Sequence, residues 1–212
     1  EMCDLGQFGT PNGELVLNYK GTEVGRMSMN FLHEGLPEVV RDAVWETPAT
    51  RVVSARSGAT RPVSLQEALL ALLSHPNIAS KRWIIRQYDH EVQGGTVIKP
   101  IAGMNEGPSD AAVITPVLGS TRGLAIANGL ATGLKDDPYL MTLAAIDECV
   151  RNLVCVGADP SKIAILDNFC WPSCNDPRNL GSLVRAAHGC YDGAKAYRTP
   201  FISGKDSLNN QF

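Results

Sequence analysis

Residues 137–166 read DPYLMTLAAIDECVRNLVCVGADPSKIAIL, and residues 177–203 read PRNLGSLVRAAHGCYDGAKAYRTPFIS. Asp137 followed by Pro138 opens a helix with proline in the first turn, and no breaker intervenes before Gly157, so the helix is predicted to run to about Val156. Lys162 to Leu166 is an apolar strand. Pro177 opens a second helix to Tyr197, and Pro200 to Ser203 is a further strand leading into Gly204-Lys205-Asp206-Ser207. Upstream, Val97 to Ile101, Ala111 to Val117 and Gly123 to Asn128 have strand character, the last two joined by the turn Gly119-Ser120-Thr121-Arg122. This β-β-β-α-β-α-β order predicts an α+β fold, an α/β sandwich with helices on one face of a mixed β-sheet.

The N-terminal third has a different texture. Leu15-Val16-Leu17 follows Pro11-Asn12-Gly13, and Val24 to Met29 follows Lys20-Gly21, which predicts a β-hairpin over residues 1–33 with little helical signal. Residues 34–63 carry prolines at 37, 48 and 62 and no sustained period, so a connection is predicted, with one helical turn near Glu38 to Ala43. Ser64-Leu65-Gln66-Glu67 has the serine and glutamate of a capping box, and Leu65, Ala68, Leu69, Leu72 and Leu73 recur at helical spacing before His75-Pro76-Asn77.

The 212 residues are 44% hydrophobic and 19% charged, enough for a buried core. No apolar run approaches the ~18 residues of a membrane helix. A net charge of -3 is no footprint for binding duplex nucleic acid. Six cysteines at positions 3, 149, 155, 170, 174 and 190 are too few for a disulfide scaffold in so long a chain. Cys170-x3-Cys174 has an outline of a zinc site, but no His or Cys pair at finger spacing completes it, so free thiols are expected. Cys149 and Cys155, within the first long helix, are expected to behave as small buried hydrophobes. With no signal peptide and no initial methionine, the expectation is a segment of a longer cytoplasmic protein.

Several polar residues are candidates for chemistry. Asp110 leads into a strand out of the loop Gly103 to Ser109, a placement that suits Mg²⁺ with phosphate and water oxygens and equally suits a turn residue. Glu148 and Asn152 stand four apart and leave the same helix face, which by spacing alone reads as solvated surface. Asp167-Asn168-Phe169 closes an apolar strand, where open sheets often place ligands. In Ser203-Gly204-Lys205-Asp206-Ser207, glycine permits close backbone approach to a phosphate and Lys205 offers a point charge, although the spacing is not that of a P-loop and a polar turn explains it as well. His90, flanked by Asp89 and Glu91, is either a raised-pKa group or a packed one.

Four stretches, Gln87-Tyr88-Asp89-His90-Glu91-Val92-Gln93-Gly94, Ser109-Asp110-Ala111-Ala112-Val113-Ile114, Glu148-Cys149-Val150-Arg151-Asn152-Leu153 and Gly204-Lys205-Asp206-Ser207-Leu208-Asn209-Asn210, are specific in combination. In this order and spacing they resemble the synthetase portion of the phosphoribosylformylglycinamidine synthase family, within the aminoimidazole ribonucleotide synthetase superfamily. The resemblance implies that residues 1–33 are closing strands of a preceding domain, 34–79 a linker with one helix over 64–75, and 80–212 an ATP-binding-type α/β domain resembling the N-terminal domain of aminoimidazole ribonucleotide synthetase. It further implies an ATP-dependent, glutamine-using ligase of purine biosynthesis, with ATP or ADP and Mg²⁺ as cofactors. Carried over by position, Asp110, Glu148 and Asn152 become metal ligands, Asp167 and Gly204 nucleotide contacts, and Ser207 a ligand contact. Lys205 departs from members with asparagine there, which puts a metal at that position in doubt.

The family's catalytic histidine motif, of Glu-Thr-His-Asn type, does not occur here, nor does a glutaminase nucleophile, so no catalytic residue is assigned and the chain alone is expected to make no product. Expected partners are the remaining synthetase domains, a glutaminase, nucleotide and, for the isolated chain, a second copy in a homodimer. Two alternatives stay open: a structural or self-association module, and another member of the superfamily, such as a selenophosphate or thiamine-phosphate kinase-like protein.

Overall fold

The computed structural model describes residues 2, 4–48, 64–87, 91, 94–104 and 107–211. It divides into two compact units, Glu1–Arg41 and Asp42–Phe212. In the first, β1 (Glu14–Tyr19) and β2 (Thr22–Ser28) pair antiparallel with a register shift between Leu17 and Asn18. The Lys20-Gly21 turn puts both residues at positive φ, 48° and 78°, the backbone that matches the twist of a two-residue hairpin. Arg26 of β2 pairs with both Glu14 and Glu23. The expected hairpin is present, but Met29–Glu34 then forms a helix, α1, where little helical signal was expected.

Across the boundary between the units, the helical turn expected near Glu38 to Ala43 is absent, and residues 36–48 carry no helix. Leu65–Ser74 forms α2, and both halves of its capping box are made, Glu67 N–H donating to Ser64 Oγ at 3.1 Å and Ser64 N–H to the Glu67 carboxylate at 3.0 Å. A short α3 (Arg82–Ile85) follows. The strands β3 (Thr96–Ile98), β6 (Ala112–Ile114) and β7 (Leu124–Ile126) form an antiparallel sheet in the order β3-β6-β7, while β4 (Ile101–Ala102) and β5 (Gly107–Pro108) pair separately.

Two long helices, α4 (Pro138–Cys155) and α5 (Pro177–Tyr197), then alternate with β8 (Ile165–Cys170) and β9 (Phe201–Ser207), which pair parallel. The α+β class is as expected. Among the described residues its strands make several small sheets, both antiparallel and parallel, where one mixed sheet was expected. Asp137 caps α4 through Tyr139 N–H at 3.1 Å, and Asp176 caps α5 through Arg178 N–H at 2.8 Å. Each helix has proline in its first turn, where the missing N–H removes no intrahelical bond.

The contact between α4 and α5 is built on small residues. Ala186 is 0% exposed, and a Cβ at Gly189 would lie 2.0 Å from Thr142 Oγ1 and 2.6 Å from the Tyr139 carbonyl oxygen. One turn on, a Cβ at Gly193 would lie 2.7 Å from Ile146 Cδ1. Thr142, buried at this contact, donates its hydroxyl within α4 and shares it with the Ala186 carbonyl at 3.2 Å. The inward stripe of α4 is therefore Thr142, Ile146, Val150 and Leu153, whereas Leu140 and Val154 are exposed. Ile146, Val150 and Leu153 form the core with Ile163 and Ile165, covered by Ala125, Ala127, Cys149, Ala158 and Ala194. Cys149 is half-buried and Cys155 exposed, so only the first behaves as the expected small hydrophobe. The described cysteines from 149 to 190 are free thiols.

Gly189→Ala is expected to lower unfolding stability by about 1–3 kcal/mol, because its methyl meets buried backbone and a bonded hydroxyl, not a pliable side-chain tip. Gly133→Ala, where a Cβ meets nothing within 4 Å, serves as the reference. Equal urea midpoints for the two variants would contradict the close contact.

Candidate functional site

Three side chains within about one turn of α4, Glu148, Cys149 and Asn152, hold the chain that leaves β7. Cys149 Sγ donates to the Ala127 carbonyl at 3.6 Å, Asn152 Nδ2 donates to the Asn128 carbonyl at 3.2 Å, and Leu130 N–H donates to Glu148 Oε2 at 2.8 Å. Gly129 makes this approach possible: a Cβ there would fall 1.9 Å from the Ala145 carbonyl oxygen and 3.0 Å from Cys149 N. Glu148 and Asn152 thus share a face, about 6 Å apart along the axis. That face carries a strand extension, with Glu148 still exposed, as spacing alone suggested, and Asn152 half-buried.

Asp110 is exposed at a bend before β6. Ala112 pairs with Ile126, and continuing that antiparallel register by two residues sets Asp110 across from Asn128, the residue Asn152 holds. The register and the α4 hydrogen bonds therefore bring Asp110, Glu148 and Asn152 to the same end of β6 and β7. Among the described residues no group of three His, Cys, Asp or Glu is arranged to hold a metal ion. The donors are all hard oxygens, two carboxylates and an amide, and one Glu148 oxygen is engaged by Leu130 N–H. Such a set fits Mg²⁺, which takes one or two carboxylates and completes its shell with water and phosphate.

A second arrangement lies on β8 and β9. The expected strand end at Leu166 is corrected: β8 continues through Asp167, Asn168 and Phe169 to Cys170, and β9 includes Gly204 to Ser207, so the glycine-lysine stretch is strand and not turn. Asp167 pairs with Gly204, and its carboxylate occupies the space above the glycine, where a Cβ would be 2.2 Å from Oδ1. Residues paired in a parallel ladder share a face, so Asp206 lies with Asp167, while Lys205 and Ser207 occupy the other face beside Asn168 and Cys170. There Lys205 Nζ donates to Ser207 Oγ at 2.7 Å. The two expected nucleotide contacts, Asp167 and Gly204, are brought together, and Ser207 is separated from them by the strand itself.

The charge state of this pair follows from its neighbours. Burial, then the Asp206 charge, hold the Asp167 carboxyl above the ordinary carboxylate range. Burial also pushes the Cys190 thiol up to about 11, with Asp167 adding to the effect. Asp206 was absent from the sequence-derived site, although period-two alternation from Gly204 points to it. His90 lies outside the described residues, with Tyr88, Asp89, Val92 and Gln93, as do Asn105 and Glu106 of the loop before Asp110.

Residues 108–211, which contain every one of these side chains, match the family model described as AIR synthase related protein, N-terminal domain. This stretch of the chain is similar to that domain family. It is 39% identical over 199 residues to the phosphoribosylformylglycinamidine synthase subunit PurL of Deinococcus radiodurans, covering 92% of this chain and 25% of that one. Over 153 residues it is 40% identical to the PurL subunit of Thermococcus sibiricus, covering 72% of this chain and 20% of the relative. The chain therefore spans about a quarter or less of these relatives. Its fold is shared with the PurLQS structure from Thermotoga maritima, with a TM-score of 0.59 at 24% identity over 94% of this chain and 29% of that one.

The Asp167–Asp206 pair gives a pH dependence with a definite sign. A carboxyl raised in the folded state contributes its stability below its unfolded pKa and loses it as pH rises through the folded value. Asp206→Asn is expected to bring the Asp167 pKa down and to flatten that loss, as read by NMR titration of the Asp167 carboxyl carbon and by melts across pH 3–7. An unchanged Asp167 titration would show that Asp206 does not act on it.

Proposed function

We propose that this chain is a nucleotide-binding part of an ATP-dependent ligase that converts formylglycinamide ribonucleotide to formylglycinamidine ribonucleotide, and that it is catalytically incomplete alone. The observation that carries the reading is the gathering of Asp110, Glu148 and Asn152 at one end of β6 and β7, by the β6–β7 register and by hydrogen bonds from α4. The relatives are phosphoribosylformylglycinamidine synthase subunits, and similar Thermotoga maritima PurL structures are complexes with ADP, ATP and FGAR. The other synthetase domains and a glutaminase are its partners in this reading, and the cytoplasm its compartment.

Asp110, Glu148 and Asn152 would hold Mg²⁺, which when bound neutralises phosphate charge. Asn152 spends its amide nitrogen on Asn128, which leaves its oxygen as the donor atom. Glu148 keeps one oxygen on Leu130 N–H, so the same carboxylate fixes the strand extension and offers its second oxygen to a cation. Gly204 presents bare backbone beside the Asp167 carboxylate, a surface that admits a flat or anionic ligand group closely. Ser207 and Lys205 offer a hydroxyl and an ammonium on the opposite face.

A self-association role has its own support. Val97, Leu124 and Ile126 on the three-stranded sheet are 62%, 51% and 53% exposed, an apolar strand surface that a second copy would cover.

Calorimetry with ADP tests the first reading. Asp110→Asn leaves the α4 hydrogen bonds untouched, and it is expected to weaken Mg-ADP binding by about 1–3 kcal/mol while leaving metal-free ADP unchanged. Equal Mg-ADP affinities for wild type and variant would sink the metal assignment. For the second reading, sedimentation at micromolar concentration is expected to show a dimer that Ile126→Lys dissociates. A wild-type monomer would end it.

A further inference from the structure

The segment 42–48, which forms neither helix nor strand, is docked on α5. Val44 N–H donates to the Pro177 carbonyl at 2.9 Å. The Val44 carbonyl passes so close to α5 that a Cβ at Gly181 would be 2.0 Å from its oxygen. The Trp45 ring covers the Arg185 guanidinium at 5.5 Å, and the Tyr139 ring of α4 lies 5.3 Å from the same group. Arg185 donates to both oxygens of Asp137, at 3.1 and 3.3 Å. Asp137 is the residue that caps α4, and the Arg185 hydrogen bonds hold its carboxyl below the usual carboxylate range.

These contacts share one helical ridge. Pro177, Gly181, Arg185, Gly189 and Gly193 recur every four residues, so they form one i±4n ridge that winds obliquely round α5. Gly189 and Gly193 receive α4, and the Val44–Trp45 segment takes the N-terminal continuation of the same ridge, beyond the first turn of α4. Arg185 sits where the two meet, touching the segment on one side and the α4 cap on the other. A guanidinium over two aromatic rings with a two-oxygen carboxylate partner is restricted in orientation, since each contact acts on the same planar group.

We propose that Val44–Trp45 is a latch on α5, and that its docking and the Asp137 cap of α4 act as one cooperative contact through Arg185. The latch belongs to the second unit, whose boundary falls between Arg41 and Asp42. Its release frees Arg185 from one face and loosens the first turn of the helix that carries Glu148 and Asn152.

Amide hydrogen exchange on the whole chain tests the coupling. Trp45→Leu and Gly181→Ala remove the latch in different ways, one by losing the ring and the other by steric exclusion of Val44. Each is expected to accelerate exchange at both Val44 and Tyr139 amides by roughly three- to tenfold, while Ile146 and Val150 amides keep their protection. Trp83→Leu, in exposed α3, is expected to change neither. Acceleration at Val44 with Tyr139 unchanged would overturn the coupling, and no change at Val44 would overturn the latch itself. If Trp45→Leu abolishes protection throughout, Trp45→Phe decides the matter. That ring is expected to give intermediate exchange at both amides together, and a change at only one contradicts the proposal.

Discussion

Everything in the second unit depends on how closely α5 can lie against α4. That distance is set by Ala186, Gly189 and Gly193, which present backbone where other helices present side chains. With the two helices in near-backbone contact, Thr142 reaches across to the Ala186 carbonyl, and Ile146, Val150 and Leu153 meet Ile163 and Ile165 beneath. Because α5 is also the connection between β8 and β9, the same contact holds the two parallel strands in place. Glycine in a helix interior costs roughly 0.5–1 kcal/mol relative to alanine. The dense packing it admits offsets that cost.

The polar residues are organised around this packing. Glu148, Cys149 and Asn152 lie on the flank of α4 that meets the strand extension after β7, so a side chain can both fix local backbone and present spare oxygens outward. The Asp167–Asp206 pair is different in kind. Asp167, half-buried and facing exposed Asp206 from the adjacent parallel strand, has its carboxyl held above the ordinary carboxylate range, and a cationic or hydrogen-bond-donating ligand would relieve that repulsion. Both arrangements are consistent with a surface completed by a ligand bearing metal and phosphates, which is the chemistry proposed for the chain.

Much of this was legible in the sequence because it is written in local chemistry. Asp137-Pro138, Ser64-x-x-Glu67 and Lys20-Gly21 each specify their structure within four residues, through a cap, a capping box and a positive-φ turn. What was missed depends on contacts far along the chain. Gly204 to Ser207 read equally well as a polar turn because their strand state comes from pairing across the length of α5, not from propensity. For the α4 pair Glu148 and Asn152, spacing shows the face they share but not the distant backbone they bond to, Leu130 and Asn128. Arg185 and Trp45 were not singled out at all, since a stacked, ion-paired arginine leaves no short-range trace. The four-residue series from Pro177 to Gly193 was the available signal for that ridge, and it was visible only as small residues at helical spacing.

Native-state hydrogen exchange across a urea series addresses the claim that α4, α5 and β8 are one cooperative body built on the glycine contact. The account requires the amides of Ile146, Val150, Ala186 and Leu166 to converge on a single unfolding isotherm, with equal opening free energy and equal denaturant dependence. Helix α5 amides opening on their own, at lower free energy than those of α4, would contradict it.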